Sequence, residues 1–431
     1  MGYEMKLDIQ SYEMKYATTE EQVRKSSISQ RNKDLIFQYR DACLLSQSCG
    51  KVRLIRVMNV LNMFGKILQK DFDDLTKEDL KRLIVSMMNR KPTYSAETLG
   101  TYKSILKRFM SWVLLPDQFP DIDKTPEMIS WIKKHVRKKD MKKLQRKDLL
   151  TPKDIEKLLD VCHNPRDKAL IAVLWETGGR ISEIGNMQIK HVTKVKHGYT
   201  LDISGKTGDR SPLVVSAAPY ISQWLTMHPF KSDKDAPLWV HYQYKTKPRY
   251  LKYSSIRDLL SRHFTRAEIG KPFNPHIFRH SRATYVLANG IMNEAQAKAY
   301  FGWTADSDML ATYSHLIDQD ANNAVLKENN LSPVQKKHLE LQPRVCRICG
   351  EMNTSTAPYC VKCNAVLDMK KAYEHQRVHQ EKDALFVNLF KILVEKGLVD
   401  NAAEEIHKAG LGMKLKRLAL HINEEKHIME E

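Results

Sequence analysis

Along most of this chain apolar residues return every three or four positions, the spacing that gathers them on one face of an α-helix. Leu54, Val57, Met58, Leu61, Met63 and Phe64 follow it, inside a region, residues 29–113, that reads as helical. Asp74 and Thr76 are candidate caps for a helix over 77–88, because a short polar side chain there accepts from the first free amides of the helix. Lys91-Pro92 interrupts the pattern, since proline cannot continue a helix. Ser95 or Thr98 reopens it through Tyr102, Ile105, Leu106, Phe109, Met110 and Val113. Residues 20–135 are therefore expected to form a small helical domain without strands. Residues 1 to about 20 show no sustained period and are expected to be a loose arm.

The middle of the chain mixes signals. Thr151 caps, Pro152 suits the first helical position and Asp154 sits at the third, where a carboxylate favours a helix N-terminus. Asn164-Pro165 starts an apolar helix that runs through Trp175 and is interrupted at Gly178-Gly179. Residues 199–204 and 212–216 read as two short strands around Gly205-Lys206-Thr207-Gly208-Asp209-Arg210. A helix over 256–269 follows, and another starts at Asn274-Pro275 and stops at Asn289-Gly290. More helices are expected over 293–300, 308–316 and 320–328. Residues 148–330 thus read as a mixed, mostly α domain with one small hairpin or sheet. A polar linker, 333–343, precedes a cysteine cluster at 344–368 and amphipathic helical residues 369–431, including Leu385, Leu389, Leu393, Val394 and then 411–420. The fold class is mainly α. A chain of 431 residues accommodates about three domains at roughly 150 residues each.

Charge narrows the class of partner. Lys and Arg number 70 against 51 Asp and Glu, a net charge of +19. Such a surface concentrates polyanions, so nucleic acid or an acidic membrane face is the expected partner. No apolar run approaches the roughly 18 residues of a membrane span, and the opening MGYEMKLDIQ has no apolar core of a secretory signal. The chain is expected to be soluble and intracellular, with no membrane partner. Residues 133–147, KKHVRKKDMKKLQRK, carry nine basic residues and one acid. They read as a solvated connector, as a connector lying on phosphates, or as both.

Four segments of the middle domain carry chemistry-bearing residues. Glu176-Thr177-Gly178-Gly179-Arg180-Ile181-Ser182-Glu183 makes a tight turn that presents Arg180. Lys206 sits in the expected hairpin turn. His276-Ile277-Phe278-Arg279-His280 lies near a helix start, with His276 and Arg279 three apart on one face. Gly302-Trp303 is followed ten residues later by Tyr313. Taken singly, each has an ordinary explanation: an exposed arginine, a solvated lysine, a satisfied histidine, a packed tyrosine.

Together, and in this order, they resemble the signature of the tyrosine recombinase (phage-type integrase) family: T-G-x-R-x-x-E, a hairpin lysine, H-x-x-R-H, G-H or G-W, then a tyrosine. Residues 177–183 match the first element, Lys206 with Arg210 and Pro212 behind it the second, residues 276–280 the third, and Gly302-Trp303 and Tyr313 the last. The resemblance covers the middle domain, and the N-terminal helical domain looks like the family's DNA-clamping core-binding domain. Trp303 stands where histidine is commoner, and the interval to Tyr313 is slightly longer than usual. Tyr300 is the nearest other tyrosine but precedes Gly302-Trp303.

The resemblance implies a site-specific recombinase that cleaves and rejoins double-stranded DNA through a 3′-phosphotyrosine. Tyr313 would be the nucleophile, and Arg180 and Arg279 would grip the phosphate as bidentate forks. His276 would donate to the phosphate or take the tyrosine proton. Lys206 would protonate the leaving 5′-oxygen. Trp303 has an indole donor and no basic site, so it would position or pack; Glu183 would orient Arg180. No ATP and no catalytic metal are expected, and the chain has no GxxxxGK[ST] loop. The family also implies a homo-oligomer, a tetramer on paired DNA sites, in the cytoplasm at the nucleoid. Type IB topoisomerase-like relaxation and a non-catalytic DNA-binding regulator on the same fold are the alternatives.

Of seven cysteines, Cys43, Cys49 and Cys162 are scattered, whereas Cys346, Cys349, Cys360 and Cys363 fall in two C-x2-C knuckles. That spacing matches a closed, structural four-thiolate zinc site, and an intracellular setting disfavours disulfides. A zinc ribbon joined to this catalytic layout looks archaeal.

DNA affinity should fall steeply with salt, because each Lys or Arg contact to phosphate releases counterions. Neutralising several basic residues within 133–147 is expected to flatten the slope of log affinity against log salt in a titration; an unchanged slope makes that segment a solvated connector only.

Overall fold

A computed structural model of the chain describes residues 7–133, 145–205, 208–244, 246–304, 307, 329 and 341–395. It divides into two units, Met1–Leu341 and Gln342–Glu431.

The first unit holds two apolar cores. One is built by α1 (Tyr12–Arg24), α2 (Gln30–Leu45), α3 (Lys51–Leu68), α4 (Lys77–Asn89), α5 (Ala96–Leu114) and the single turn α6 (Glu127–Ser130). Leu54, Leu61, Phe64, Phe72 and Phe109 fill it. The periodic residues of α3 face inward as their spacing requires, and Tyr39, Phe72 and Trp112 surround the Phe109 ring. Thr76 and Asp79 form a capping box that starts α4, and Ser95 caps α5. Asp74 does not cap; it closes a short 3-10 turn, Phe72–Asp74.

The second core is organised by α7 (Pro152–Val161), α8 (Pro165–Thr177), α9 (Ile181–Gly185), α10 (Ala218–Met227), α11 (Tyr253–Arg266), α12 (Pro275–Ala288) and α13 (Glu294–Phe301). Thr151 and Asp154 make the expected capping box, and Asn164 caps α8 through the Asp167 amide. Helix α8 is apolar all round from Ala169 to Trp175, so it is buried on every side and the other helices wrap it. Near its start the charge is matched: Asp167 accepts from Arg166 at 2.7 Å and lies 3.0 Å from His263 Nε2.

The strands are more numerous and shorter than expected. Strands β1 (Val192–Val195), β2 (Gly198–Leu201) and β5 (Leu213–Val214) form an antiparallel sheet in the order β1-β2-β5, with Val192 opposite Leu201 and Tyr199 opposite Val214. A separate hairpin pairs β3 (Ile203–Gly205) with β4 (Gly208–Arg210), Ile203 opposite Arg210. Residues 208–210, expected in the turn, are therefore strand. The ladder register overrides the turn propensity of Gly208 and Asp209.

The loose arm is also corrected. Leu7 and Ile9 are buried, Ile9 within the second core, and α1 begins at Tyr12 and packs on α3. Two apolar residues separated by one polar residue carry no helical period, which is why the pattern did not reveal them. The helices expected over 308–316 and 320–328 and the apolar residues 411–420 lie outside the described residues.

The second unit contains a short hairpin, β6 (Arg344–Val345) with β7 (Met352–Asn353), the cysteine knuckles and the long helix α14 (Met369–Glu395).

Candidate active site

The site is built at the end of α8. Gly178 caps the helix in the left-handed conformation, φ 52°, and its amide donates to Leu174 O at 3.1 Å. A Cβ there would come within 2.6 Å of the Phe301 ring, so only glycine fits. The Gly179 amide donates to Thr177 Oγ1 at 3.0 Å, and the chain turns sharply into α9 with Arg180 as its N-terminal cap.

Glu183, in the first turn of α9, holds this turn together. Its side chain is only 2% exposed. It accepts from Arg180 Nη1 at 2.7 Å and from the Arg180 amide at 3.0 Å. It also accepts from Arg210 Nη2 at 2.8 Å, across from β4. Burial pushes the Glu183 carboxyl up, but the hydrogen bonds from Arg210 and Arg180 outweigh it and hold the group below the ordinary carboxylate range. The hairpin meets the same carboxylate at its other strand: a Cβ on Gly205 would lie 2.6 Å from Glu183 Oε1.

Arg279, one turn into α12, is 3% exposed. It donates to Gly178 O at 3.0 Å and to Phe301 O at 2.8 Å. Arg180 Nη2 lies 3.5 Å from Gly302 O. The two guanidinium groups are thus anchored on consecutive carbonyls at the end of α13. Arg279 lies 5.8 Å from the ring centroids of both Phe301 and Trp303, and these two rings stack at 5.1 Å. Gly302, φ 62°, ends α13; a Cβ there would meet Arg210 Nη1 at 2.8 Å.

His276 is exposed on the first turn of α12. Partial desolvation, then the nearby charges of Arg279 and Arg180, push its pKa below the ordinary histidine value. The structure therefore brings Arg180, His276, Arg279 and Trp303 into one neighbourhood. Lys206 and Tyr313 lie outside the described residues. Tyr300 is committed elsewhere: its hydroxyl donates to Glu176 O at 3.1 Å.

Two contributors have no role assigned from sequence: Arg210 stands only as a neighbour of the hairpin lysine, and Glu176 only as part of the turn segment. Arg210 shares Glu183 with Arg180, a pairing across 27 residues that no local period reports. Glu176 is buried and accepts from the Val215, Ser216 and Ala217 amides at 2.8, 3.1 and 2.6 Å, tying the end of α8 to the start of α10. Burial pushes its carboxyl up despite those three amides. A lone glutamate closing an otherwise apolar helix was the available signal.

In the second unit, Sγ of Cys346 lies 3.5 Å from that of Cys363, and Cys349 the same distance from Cys360. All four sulfurs fall within 4.8 Å of one another. The Gly350 and Asn364 amides close the two knuckles onto Cys346 O and Cys360 O at 2.9 and 3.0 Å, both residues with positive φ.

Residues 148–320 match the family described as the phage integrase family. Over 292 residues the chain is 23% identical to transposase A from transposon Tn554 of Staphylococcus aureus, covering 61% of this chain and 78% of that protein. It is 26% identical over 274 residues to tyrosine recombinase XerA of Saccharolobus solfataricus, covering 61% and 82%. Among solved structures, the XerH site-specific recombinase bound to difH substrate aligns with 75% of this chain and 97% of that one, at 18% identity and a TM-score of 0.48.

Glu183→Gln keeps the shape and removes the charge that both arginines use. It should lower the unfolding free energy by about 2 kcal/mol at neutral pH, the cost of leaving buried charge poorly matched. A carboxyl with a depressed folded pKa stabilises above its unfolded value of about 4.3 and loses that contribution as pH falls through the folded value. The gap between wild type and variant should therefore close in acid, in denaturant titrations run at several pH values. A gap that is constant with pH contradicts the ionised bracket.

Proposed function

We propose that this chain, whose residues 148–320 belong to the phage integrase family, is a site-specific recombinase that cleaves and rejoins double-stranded DNA through a 3′-phosphotyrosine. The observation that carries the reading is the meeting of two fixed guanidinium groups at the end of α13: Arg279 donates to Phe301 O at 2.8 Å, and Arg180, held by Glu183 at 2.7 Å, lies 3.5 Å from Gly302 O. Two planar forks held side by side suit the non-bridging oxygens of one phosphate, where charge grows during attack.

The remaining roles follow from chemistry. The Tyr313 hydroxyl attacks phosphorus, and the bond to the 5′-oxygen breaks. His276, whose pKa partial burial and the neighbouring arginines push down, takes the tyrosine proton or donates to the phosphate. Lys206 protonates the leaving 5′-oxygen. Trp303 packs on Phe301 and shapes the wall beside Arg279. Rejoining runs the same steps backwards, so the phosphotyrosine conserves the bond energy. Tyr313 is favoured over Tyr300 because the Tyr300 hydroxyl is bound to a main-chain carbonyl inside the fold. Recombination requires two sites, so the active form is a homo-oligomer, a tetramer on paired DNA, acting in the cytoplasm at the nucleoid.

Zinc is the structural cofactor proposed for Cys346, Cys349, Cys360 and Cys363. Four thiolates at about 2.3 Å from a tetrahedral ion sit about 3.8 Å apart, and the sulfur spacings here already approach that. The ion would staple a small unit. Metal analysis should find about one zinc per chain in wild type and a clear loss in Cys360→Ser; equal content in both overturns the assignment.

The functional test uses supercoiled DNA with and without the cognate site. Strand exchange confined to site-bearing DNA is expected; relaxation without site dependence points to topoisomerase-like action, and binding without cleavage to a regulator. In a linear substrate whose 5′-bridging oxygen is replaced by sulfur, the thiolate leaves without a proton. Cleavage by Lys206→Ala should then recover while Tyr313→Phe stays inactive. Failure of sulfur to rescue Lys206→Ala, with binding intact, leaves Lys206 a phosphate contact rather than the acid.

A further inference from the structure

Residues 7–10 precede α1, yet their bonds run to the catalytic core. The Ile9 amide donates to Asn186 Oδ1 at 3.0 Å. The Ile9 carbonyl accepts from the Tyr253 amide at 3.0 Å, satisfying a donor in the first turn of α11 that has no partner inside its own helix. The Tyr250 hydroxyl lies 3.3 Å from Asp8 O. The Ile9 side chain is 1% exposed and joins the core that contains Ile184 and Trp239.

Its closest approach is to Gly185, the last residue of α9. A Cβ on Gly185 would fall 2.3 Å from Ile9 Cδ1. Glycine at this position is what lets the isoleucine seat. Helix α9 has five residues, too few to hold a position by its own hydrogen bonds. Its N-terminal end is set by the Glu183 bracket with Arg180 and Arg210. Its C-terminal end is set by Ile9 against Gly185 and Asn186, together with the Trp239 indole, which donates to Ile184 O at 2.7 Å. On the other side of the segment, the Asp8 carboxylate accepts from the Gln10 and Tyr12 amides and so anchors the start of α1, whose Val23 lies in the N-terminal core.

We infer that residues 7–10 are a positioning strap for catalysis: Ile9, wedged under the C-terminal end of α9, sets the placement of Arg180 at its other end. This rests on the role proposed for Arg180. Ile9 touches no reacting atom. It acts through the helix, so disturbing it costs the chemical step rather than DNA affinity, because small displacements of a catalytic group carry large rate penalties.

The test is a paired exchange of one methyl. Gly185→Ala adds a carbon where Ile9 Cδ1 sits, and Ile9→Val removes that carbon while keeping the branched body of the side chain. Gly185→Ala should lower single-turnover cleavage of a suicide substrate by about tenfold or more at saturating DNA, with the Kd for DNA within a few-fold of wild type. Ile9→Val alone loosens the same contact and should lower the rate by a few-fold, less than Gly185→Ala does, and the double variant should recover most of the rate that Gly185→Ala loses. If Gly185→Ala is harmless, or its defect is the same with isoleucine or valine at position 9, the strap is overturned. A rate and affinity that fall together would make the contact merely structural, which also overturns it. Should Gly185→Ala fail to fold, Asn186→Ala removes only the bond to the Ile9 amide and carries the same expectation of slower cleavage at unchanged Kd; unchanged cleavage overturns the strap. A wild type that binds DNA and never cleaves strikes the recombinase reading instead. The coupling between positions 9 and 185 is then read in unfolding midpoints, where its absence still overturns the strap.

Discussion

Two guanidinium groups held close together repel each other, all the more so if, as proposed, they await one phosphate, and the architecture of this chain holds them in place regardless. Glu183 is the central device. One buried carboxylate takes Arg180 from its own helix and Arg210 from the β3-β4 hairpin, and the two cations keep it ionised. Arg279 is held by carbonyls instead, Gly178 O on one side and Phe301 O on the other. Neutral acceptors suit the proposed phosphate site, because a second carboxylate there would oppose the charge of a phosphate. The arginines are pre-ordered by the protein and so lose little freedom when a phosphate binds.

Everything that touches this bracket is constrained in size. Gly178 abuts Phe301, Gly205 abuts Glu183, Gly302 abuts Arg210, and Gly185 abuts Ile9. Close backbone approach at these points brings α8, α9, the hairpin and α13 together around one carboxylate. The apolar helix α8 supplies the fixed post for the assembly. Glu176 near its end fastens the start of α10 through three amides, so the sheet behind the hairpin is tied to the same post. Interiors packed this tightly transmit displacement, which is how a residue as distant in sequence as Ile9 bears on Arg180.

The elements whose signals are local were legible in the sequence. Thr151-Pro152-Lys153-Asp154 and Asn164-Pro165 start helices where their capping chemistry places them, and Gly178-Gly179 turns the chain to present Arg180. His276 and Arg279 share the beginning of α12 as their spacing requires. What escaped was long-range. Residues 192–195 form a strand only because β2 pairs with them. Gly208, Asp209 and Arg210 look like a turn and become a strand because Ile203, Ser204 and Gly205 lie opposite. Arg210 goes with the hairpin lysine in sequence, but its partnership with Glu183 is visible only in the fold. Leu7 and Ile9 carry no period, and the seat of Ile9 against Gly185 shows only in the fold.

The proposed chemistry turns on one covalent bond, and the most direct measurement is to find it. A suicide substrate that loses its 5′ end after cleavage traps the protein on DNA, and mass spectrometry of the digested adduct identifies the modified peptide. The account predicts a nucleotide linked through its 3′-phosphate to Tyr313. The same adduct on Tyr300, or on any other side chain, would contradict it.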